Sequence, residues 1–255
     1  MVAAILAALV ISLLTHEFAH MVFVRAFGGR VCGFRLSFLG ATAWVIGLEK
    51  LKLWQRYAVY IAGPVANALL ALGAWVAARF AWGQSGFVQA AFLYNVVLCA
   101  FNMLPVLPLD GGRLLQLFLG NRMGVLRANR ILLKAGSVAG GALMALGLVQ
   151  AVLYPWNLSL LCAGMFIRRK NKQLPLPLYW ECIKALQAKD RSKLPTKKII
   201  LPKDTPVFKA VEYLGWDYWA EIHIGDGYSV SRIISEEEIM KSLHLTAKYL
   251  LQPPL

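Results

Sequence analysis

Residues 2–27 form one apolar run, and the only histidines in the first 222 residues interrupt it together, as His16-Glu17-Phe18-Ala19-His20. A run of this length can cross a bilayer as a helix, for which about 20 apolar residues suffice. Ionisable groups inside such a segment are expensive in lipid and mark a functional site by default. Residues four apart share a helix face, so His16 and His20 can both turn a ring nitrogen to one Zn²⁺ while Glu17 reaches a water on that ion. The pattern predicts a metal-dependent hydrolase site within a membrane helix.

Composition agrees with the membrane: 58% hydrophobic and 16% charged residues are wrong for a soluble chain of 255. Residues 1–167 hold 12 Lys+Arg and three acids, Glu17, Glu49 and Asp110, whereas 168–255 hold 15 Lys+Arg and ten acids. The expected organisation is a transmembrane domain over 1–167, a basic linker with a short amphipathic helix over 168–198, and a small cytosolic domain over 199–255. The net charge of +14 does not point to nucleic acid, because no aromatic-basic interleaving forms a stacking platform. The basic residues read as topology signals and contacts to anionic lipid. Cys32, Cys99, Cys162 and Cys182 are scattered and read as ordinary thiols. The opening run lacks a basic n-region and a small-residue cleavage site, so it is not expected to be a removable signal.

Apolar runs occur at 2–27, 55–79, 86–107 and 131–153, with a shorter one at 155–167, giving about five spans in a mainly α, polytopic helical bundle. Lysines and arginines concentrate after the first, third and fifth runs, which assigns those loops to the inside and makes the C-terminal domain cytosolic. The expected location is a bacterial inner membrane. Residues 30–48 alternate partly around Gly40, the pattern of a hairpin. Its edge could pair with an extended substrate backbone, or the hairpin could be a structural lid on the membrane surface.

A catalytic zinc needs a third protein ligand. Glu49 lies beside Lys50 and Lys52 and reads as a solvated surface carboxylate, which leaves Asp110. It follows two prolines and precedes two glycines in Asn102-Met103-Leu104-Pro105-Val106-Leu107-Pro108-Leu109-Asp110-Gly111-Gly112, so irregular backbone is expected at membrane depth. Such backbone is tolerated only where protein or a wet cavity satisfies it. Asp110 could also cap the helix that starts near Gly111, and the two roles are compatible. Asn102 reads either as a second donor to a developing oxyanion or as an interhelical hydrogen bond. Pro64 and Asn67 read as a kink and a helix contact, and the glycines of residues 137–141 as close helix packing.

HEFAH in a membrane helix, then Ala62-Gly63-Pro64-Val65-Ala66-Asn67, then the stretch ending Leu109-Asp110-Gly111-Gly112, resembles the site-2 protease family of intramembrane zinc metalloproteases. The resemblance covers about residues 2–167. It implies His16, His20 and Asp110 as zinc ligands, Glu17 as catalytic acid/base, and Asn102 and Pro108 as the Asn and Pro of the family's motif around the aspartate. Within the family the chain is most similar to the sporulation branch, which processes the precursor of sigma-K. That implies a membrane-associated protein substrate, inhibitory or regulatory membrane partners, and a place in the mother-cell membrane around the forespore. The chain departs from the family's usual pattern by starting directly with the HExxH helix.

The tail over 199–244 reads strand, helix, strand, strand, helix and resembles one cystathionine-β-synthase (CBS) motif, an α+β unit. Thr205 is a candidate cap for a helix carrying Val207, Val211 and Leu214, and Asp226-Gly227 a hairpin turn. Ser235-Glu236-Glu237-Glu238 falls where that family often contacts a nucleotide. Glu238 replaces the usual aspartate and only one copy is present, so self-association or substrate docking stands beside ATP binding. His223 and His244 read as ordinary histidines. Two further readings of the whole chain stay open: a metalloprotease whose third ligand is a later glutamate, against which stands the absence of any glutamate between Glu49 and Glu181, and a non-proteolytic membrane metal-binding protein or transporter.

Overall fold

A computed structural model describes residues 2–37, 40–80, 85–154, 157–203, 205, 210–225 and 230–240, and the side chains of all of these except residues 2, 34–37, 40–44, 176, 191, 230 and 231. Its contacts divide the chain into two compact units, residues 1–115 with 133–174, and residues 116–132 with 175–255.

In the first unit, α1 (Val2–Ala26), α2 (Leu53–Phe80) and α3 (Gly86–Asn102) pack on one another. Where α1 ends, Gly28 adopts φ 89°, and the Gly28 and Gly29 N–H groups donate to the Arg25 and Val24 carbonyls. These two bonds are a Schellman closure, which needs the left-handed residue that glycine supplies. The chain then enters an antiparallel hairpin, β1 (Arg30–Ser37) and β2 (Gly40–Ile46), with Arg30 opposite Ile46 and Ser37 opposite Gly40. The reversal therefore falls at residues 38–39, just before the expected Gly40. The hairpin base sits on an apolar cluster of Val24, Leu51 and Val59 with Phe27, Val31 and Val45.

Helix α2 opens with the Lys52 N–H donating to Gln55 Oε1, half of a capping box, and carries Pro64 in its interior. Helix α4 (Asp110–Met123) begins after the broken stretch, and α5 (Val125–Leu153) and α6 (Ser159–Gln173) follow. A Cβ at Gly147 would lie 2.4 Å from the Leu161 backbone N, and one at Gly164 would lie 2.8 Å from the Gly140 carbonyl. Small residues thus let α5 and α6 approach closely, as membrane helices commonly do. Among the described residues three helices, Ala3–Ala26, Leu53–Phe80 and Val125–Leu153, are long and apolar enough to cross a membrane, and Gly86–Asn102 is a shorter apolar helix.

The second unit contains the end of α4, the start of α5, and α7 (Pro175–Gln187). Its sheet orders β3 (Thr196–Leu201), β4 (Trp219–Gly225) and β5 (Val230–Ser235), with β3 and β4 parallel and β4 and β5 antiparallel. Leu186, Leu201, Leu214, Ile222, Ile224, Ile234 and Ile239 fill its core. Residues 116–132 belong to this unit because the chain reverses at Gly124, φ 93°, where a Cβ would collide with the Glu212 carbonyl, and because the Val125 N–H donates to Leu214 O. Residues 206–209 and 226–229, and with them Val207 and the Asp226-Gly227 turn, lie outside the described residues, as does His244. Val211–Tyr213 is a short 3₁₀ helix.

Ser235 Oγ accepts the Glu238 N–H at 3.3 Å, Glu238 pairs with Arg232, and His223 pairs with Glu221 at 2.8 Å. Glu236 is buried against Lys189, with Nζ–Oε1 2.6 Å, and also accepts the Ala220 N–H. Burial pushes the Lys189 ammonium below its ordinary range, and Glu236 opposes that shift. Ser235, Glu236 and Glu238, the residues where a nucleotide contact was sought, thus serve a helix start and two ion pairs. Breaking one side of a buried pair costs about 3–5 kcal/mol because the other charge is left uncompensated. Glu236→Ala is therefore expected to speed amide hydrogen exchange in β4 strongly, whereas Lys189→Met with Glu236→Leu is expected to recover most of the protection.

Candidate metal centre

Four elements build the centre. His16 and His20 project from consecutive turns of α1, Gly63 and Asn67 face them from α2, and Asp110 stands on the first turn of α4. Asp110 is presented by residues 103–109, which leave α3 in tight turns: Val106 N–H to Leu104 O, Leu109 N–H to Val106 O, then Arg113 N–H to Leu109 O as α4 begins. Val106, Leu107 and Leu109 are buried there, so the broken backbone satisfies its polar groups internally while turning apolar side chains inward. Cβ atoms at Gly111 and Gly112 would lie 2.3 Å from the Met103 carbonyl oxygen and the Val106 carbonyl carbon, which explains the paired glycines after the aspartate.

The structure brings three of the expected site residues together. His16 Nε2 and His20 Nε2 lie 3.1 and 3.2 Å from Asp110 Oδ2, and 3.2 Å from each other. His16 Nδ1 is 2.6 Å from Asn67 Oδ1, and His20 Nδ1 is 2.7 Å from the Val59 carbonyl oxygen. Both of those partners accept, so each Nδ1 carries its ring's proton and each Nε2 presents a lone pair. Two imidazole lone pairs and a carboxylate oxygen thus converge with no proton between them, an arrangement that repels itself and suits a cation. Ligands about 2.0–2.1 Å from a tetrahedral zinc would sit about 3.3 Å apart, close to the observed separations. Two imidazoles and one carboxylate are also the donor set of a catalytic zinc with an open fourth position. Among the described residues this is the one cluster of His, Cys, Asp and Glu that could hold a metal ion.

Glu17 is half-buried on the same turn of α1 and lies within electrostatic range of His16, His20 and Asp110. Asn102 is not drawn into the cluster by its hydrogen bond: its Nδ2 donates to Leu98 O, 3.0 Å away in its own helix. Pro108, the family's motif proline, precedes Asp110 by two residues and follows a cis peptide bond.

The pattern of peptidase family M50 matches residues 4–85 and 77–146, more than half of the chain. The chain belongs to that family, the site-2 proteases. Stage IV sporulation protein FB of Bacillus subtilis is 31% identical over 126 residues, 49% of this chain and 44% of that one. Zinc metalloprotease MJ0392 of Methanocaldococcus jannaschii is 24% identical over 186 residues, 71% of this chain and 52% of that one. The chain thus spans about half the length of these relatives. A solved site-2 protease from Methanocaldococcus jannaschii shares the fold, with a TM-score of 0.56 and 22% identity over 67% of this chain and 77% of that structure. Family membership together with three apolar helices makes this an integral membrane protein.

The stretch from Ala62 to Asn67 does more than kink a helix. A Cβ at Gly63 would lie 2.4 Å from His20 Nε2 and 2.7 Å from His16 Nε2, so α2 can approach the imidazoles only where a side chain is missing. Pro64 brings no N–H to its turn and crowds the preceding one, which opens the helix beside the Val59 carbonyl that receives His20. Asn67, fully buried, holds His16. Spacing alone did not reveal these roles, although a Gly, a Pro and an Asn within five residues of a span was the available signal. Gly63→Ala is expected to displace both imidazoles and to lower bound zinc per chain at least tenfold, read by metal analysis of the purified protein, with helicity by circular dichroism unchanged.

Proposed function

We propose that this chain is a zinc-dependent intramembrane endopeptidase that cuts a membrane-held precursor and releases it on the cytosolic side. The observation that carries the reading is the convergence of three proton-free donor atoms, from His16, His20 and Asp110, at the end of a broken membrane helix. These three residues would hold the ion. Bound zinc supplies a Lewis acid and makes hydroxide available near neutral pH.

Glu17 takes the proton of the attacking water as the new C–O bond forms at the scissile carbonyl, and returns it to the amine nitrogen as the C–N bond breaks. His16 and His20 keep their Nδ1 protons throughout, since Asn67 and Val59 hold them there. Asn102, on the last turn of α3, is the candidate second donor to the developing oxyanion, and would exchange its bond to Leu98 O for one to substrate. A substrate helix hides its amides in internal hydrogen bonds, so cleavage requires local unwinding. The exposed edge of the β1–β2 hairpin offers backbone groups on which an unwound segment can add as a strand.

The excess of lysine and arginine after the first and third apolar runs supports a cytosolic face for the hairpin and for the C-terminal unit. Similarity to a sporulation protein supports a precursor of the pro-sigma-K type. The C-terminal unit, whose strand order follows one CBS-like motif, is read as a docking or self-association module. Anionic lipid is the expected surface partner of the basic loops.

Glu17→Gln is expected to retain zinc and to lose about 10²–10⁴-fold in cleavage, scored by size change of a coexpressed precursor. Asp110→Ala is expected to lose both zinc and cleavage. Unchanged processing by Glu17→Gln would remove the protease reading. A precursor carrying Gly or Pro beside the cut is expected to be processed faster than the same precursor with Leu or Ala at those positions, and equal rates would argue against unwinding as a requirement.

A further inference from the structure

Behind His16 lies a closed polar network inside otherwise apolar helices. Ser12, His16, Asn67 and Asn95, from α1, α2 and α3, are each at most 3% exposed. Asn67 Nδ2 donates to Asn95 Oδ1 at 2.8 Å and, more weakly, to Ser12 O at 3.4 Å. Asn95 Nδ2 donates to Ser12 Oγ and to Ala91 O, both at 2.7 Å, and Ser12 Oγ donates to Ala8 O at 2.7 Å. Buried polar groups in a bilayer require such partners, and a network in which every member is satisfied fixes its own geometry.

The direction of each bond in this chain follows from two helix carbonyls that can only accept. Ala8 O must receive the single hydroxyl proton of Ser12, which leaves Ser12 Oγ to accept from Asn95. Ala91 O must receive the other Asn95 amide proton. Turning the Asn95 amide over would set its own oxygen against Ala91 O at 2.7 Å, two acceptors with no proton between them. Asn95 Oδ1 therefore faces Asn67 and must receive an Asn67 N–H. That in turn aims Asn67 Oδ1 at His16, and an oxygen there demands a proton on His16 Nδ1. Were Asn67 reversed, its N–H would face Nδ1, the ring proton would move to Nε2, and the atom directed at His20 and Asp110 would no longer carry a lone pair.

We propose that Asn95 and Ser12 are positioning residues that set the tautomer of His16: through Asn67 they keep its Nε2 free of a proton and available to a divalent cation. The assignment rests on the zinc reading above for its consequence, but the tautomer itself is a property of the metal-free chain. Neither residue touches the metal centre. Helix packing alone would require volume at these positions and would be indifferent to which end of each amide points where.

The test uses the full chain labelled with ¹⁵N-histidine in lipid bilayers, metal-free, with the His16 signals assigned by their loss in His16→Gln. Wild type is expected to show His16 protonated at Nδ1 alone. Asn95→Leu, similar in volume but unable to orient Asn67, is expected to show a second population protonated at Nε2 and a zinc affinity about 10–100-fold weaker by chelator competition, the range seen when outer-shell partners of a metal ligand are lost. Adding Asn67→Asp to Asn95→Leu is expected to restore both readings, because a carboxylate offers His16 an acceptor however it is turned. Ser12→Ala, a change small enough to leave the helices packed, is expected to shift both readings in the same direction but less. An unaltered His16 spectrum in Asn95→Leu would overturn the proposal, as would a loss of zinc affinity that Asn67→Asp does not repair, since that marks a packing defect. If wild type shows the Nδ1 tautomer and binds no zinc, the zinc reading fails and the tautomer assignment stands.

Discussion

Three atoms that each present a lone pair, His16 Nε2, His20 Nε2 and Asp110 Oδ2, stand within 3.2 Å of one another. Left alone they repel, so the fold must hold them against that repulsion or a cation must relieve it. The hold is visible in what surrounds them. Two acceptors, one from a side chain and one from a helix carbonyl, take the Nδ1 protons, and a glycine removes the Cβ that would otherwise push α2 off the imidazoles. The aspartate arrives on a rigid first helical turn, whose paired glycines press on the broken backbone before it. Each device costs something in an isolated helix, and each makes sense only around this cluster.

The apolar setting raises the importance of every polar atom. Among the described residues of α1, α2 and α3, Ser12, His16, Asn67 and Asn95 join in one network, and the backbone of residues 103–109 closes its hydrogen bonds in successive turns. In water a misdirected amide would be solvated at little cost. In a bilayer it has no such outlet, so bond direction becomes information that can pass from a helix carbonyl to a histidine ring several residues away. The same reasoning explains why so few polar residues suffice for hydrolytic chemistry in this unit.

The second unit follows the rules of an aqueous domain. A three-stranded sheet buries one row of branched side chains, a helix starts on Ser235, and a single buried ion pair between Lys189 and Glu236 is completed by backbone groups of Gly215 and Ala220. Its use of residues 116–132 means that α4 and α5 each run through both units.

How much of this was legible beforehand divides along the range of the interactions. His16, Glu17 and His20 share a face because helical geometry is local, and Asp110 stood out because the amino-terminal part offered few other acids and broke its helix there. The amphipathic helix before the tail, the hairpin and the strand order of the tail followed from short-range pattern as well. Length and composition marked the apolar runs, and α1, α2 and α5 carry the longest of them. What spacing could not show were pairings between residues far apart in sequence: Asn67 with His16, Val59 O with His20, Asn95 with Asn67, and the glycine at 63 against both rings. Pro64 and Asn67 looked like a kink and a contact because one helix at a time gives no reason for more. The residue types and their periodicity determined which groups could carry the chemistry. Only the packing of three helices decided which nitrogen of each histidine is free to do so, because a tautomer is set by what lies across the interface and not by neighbours along the chain.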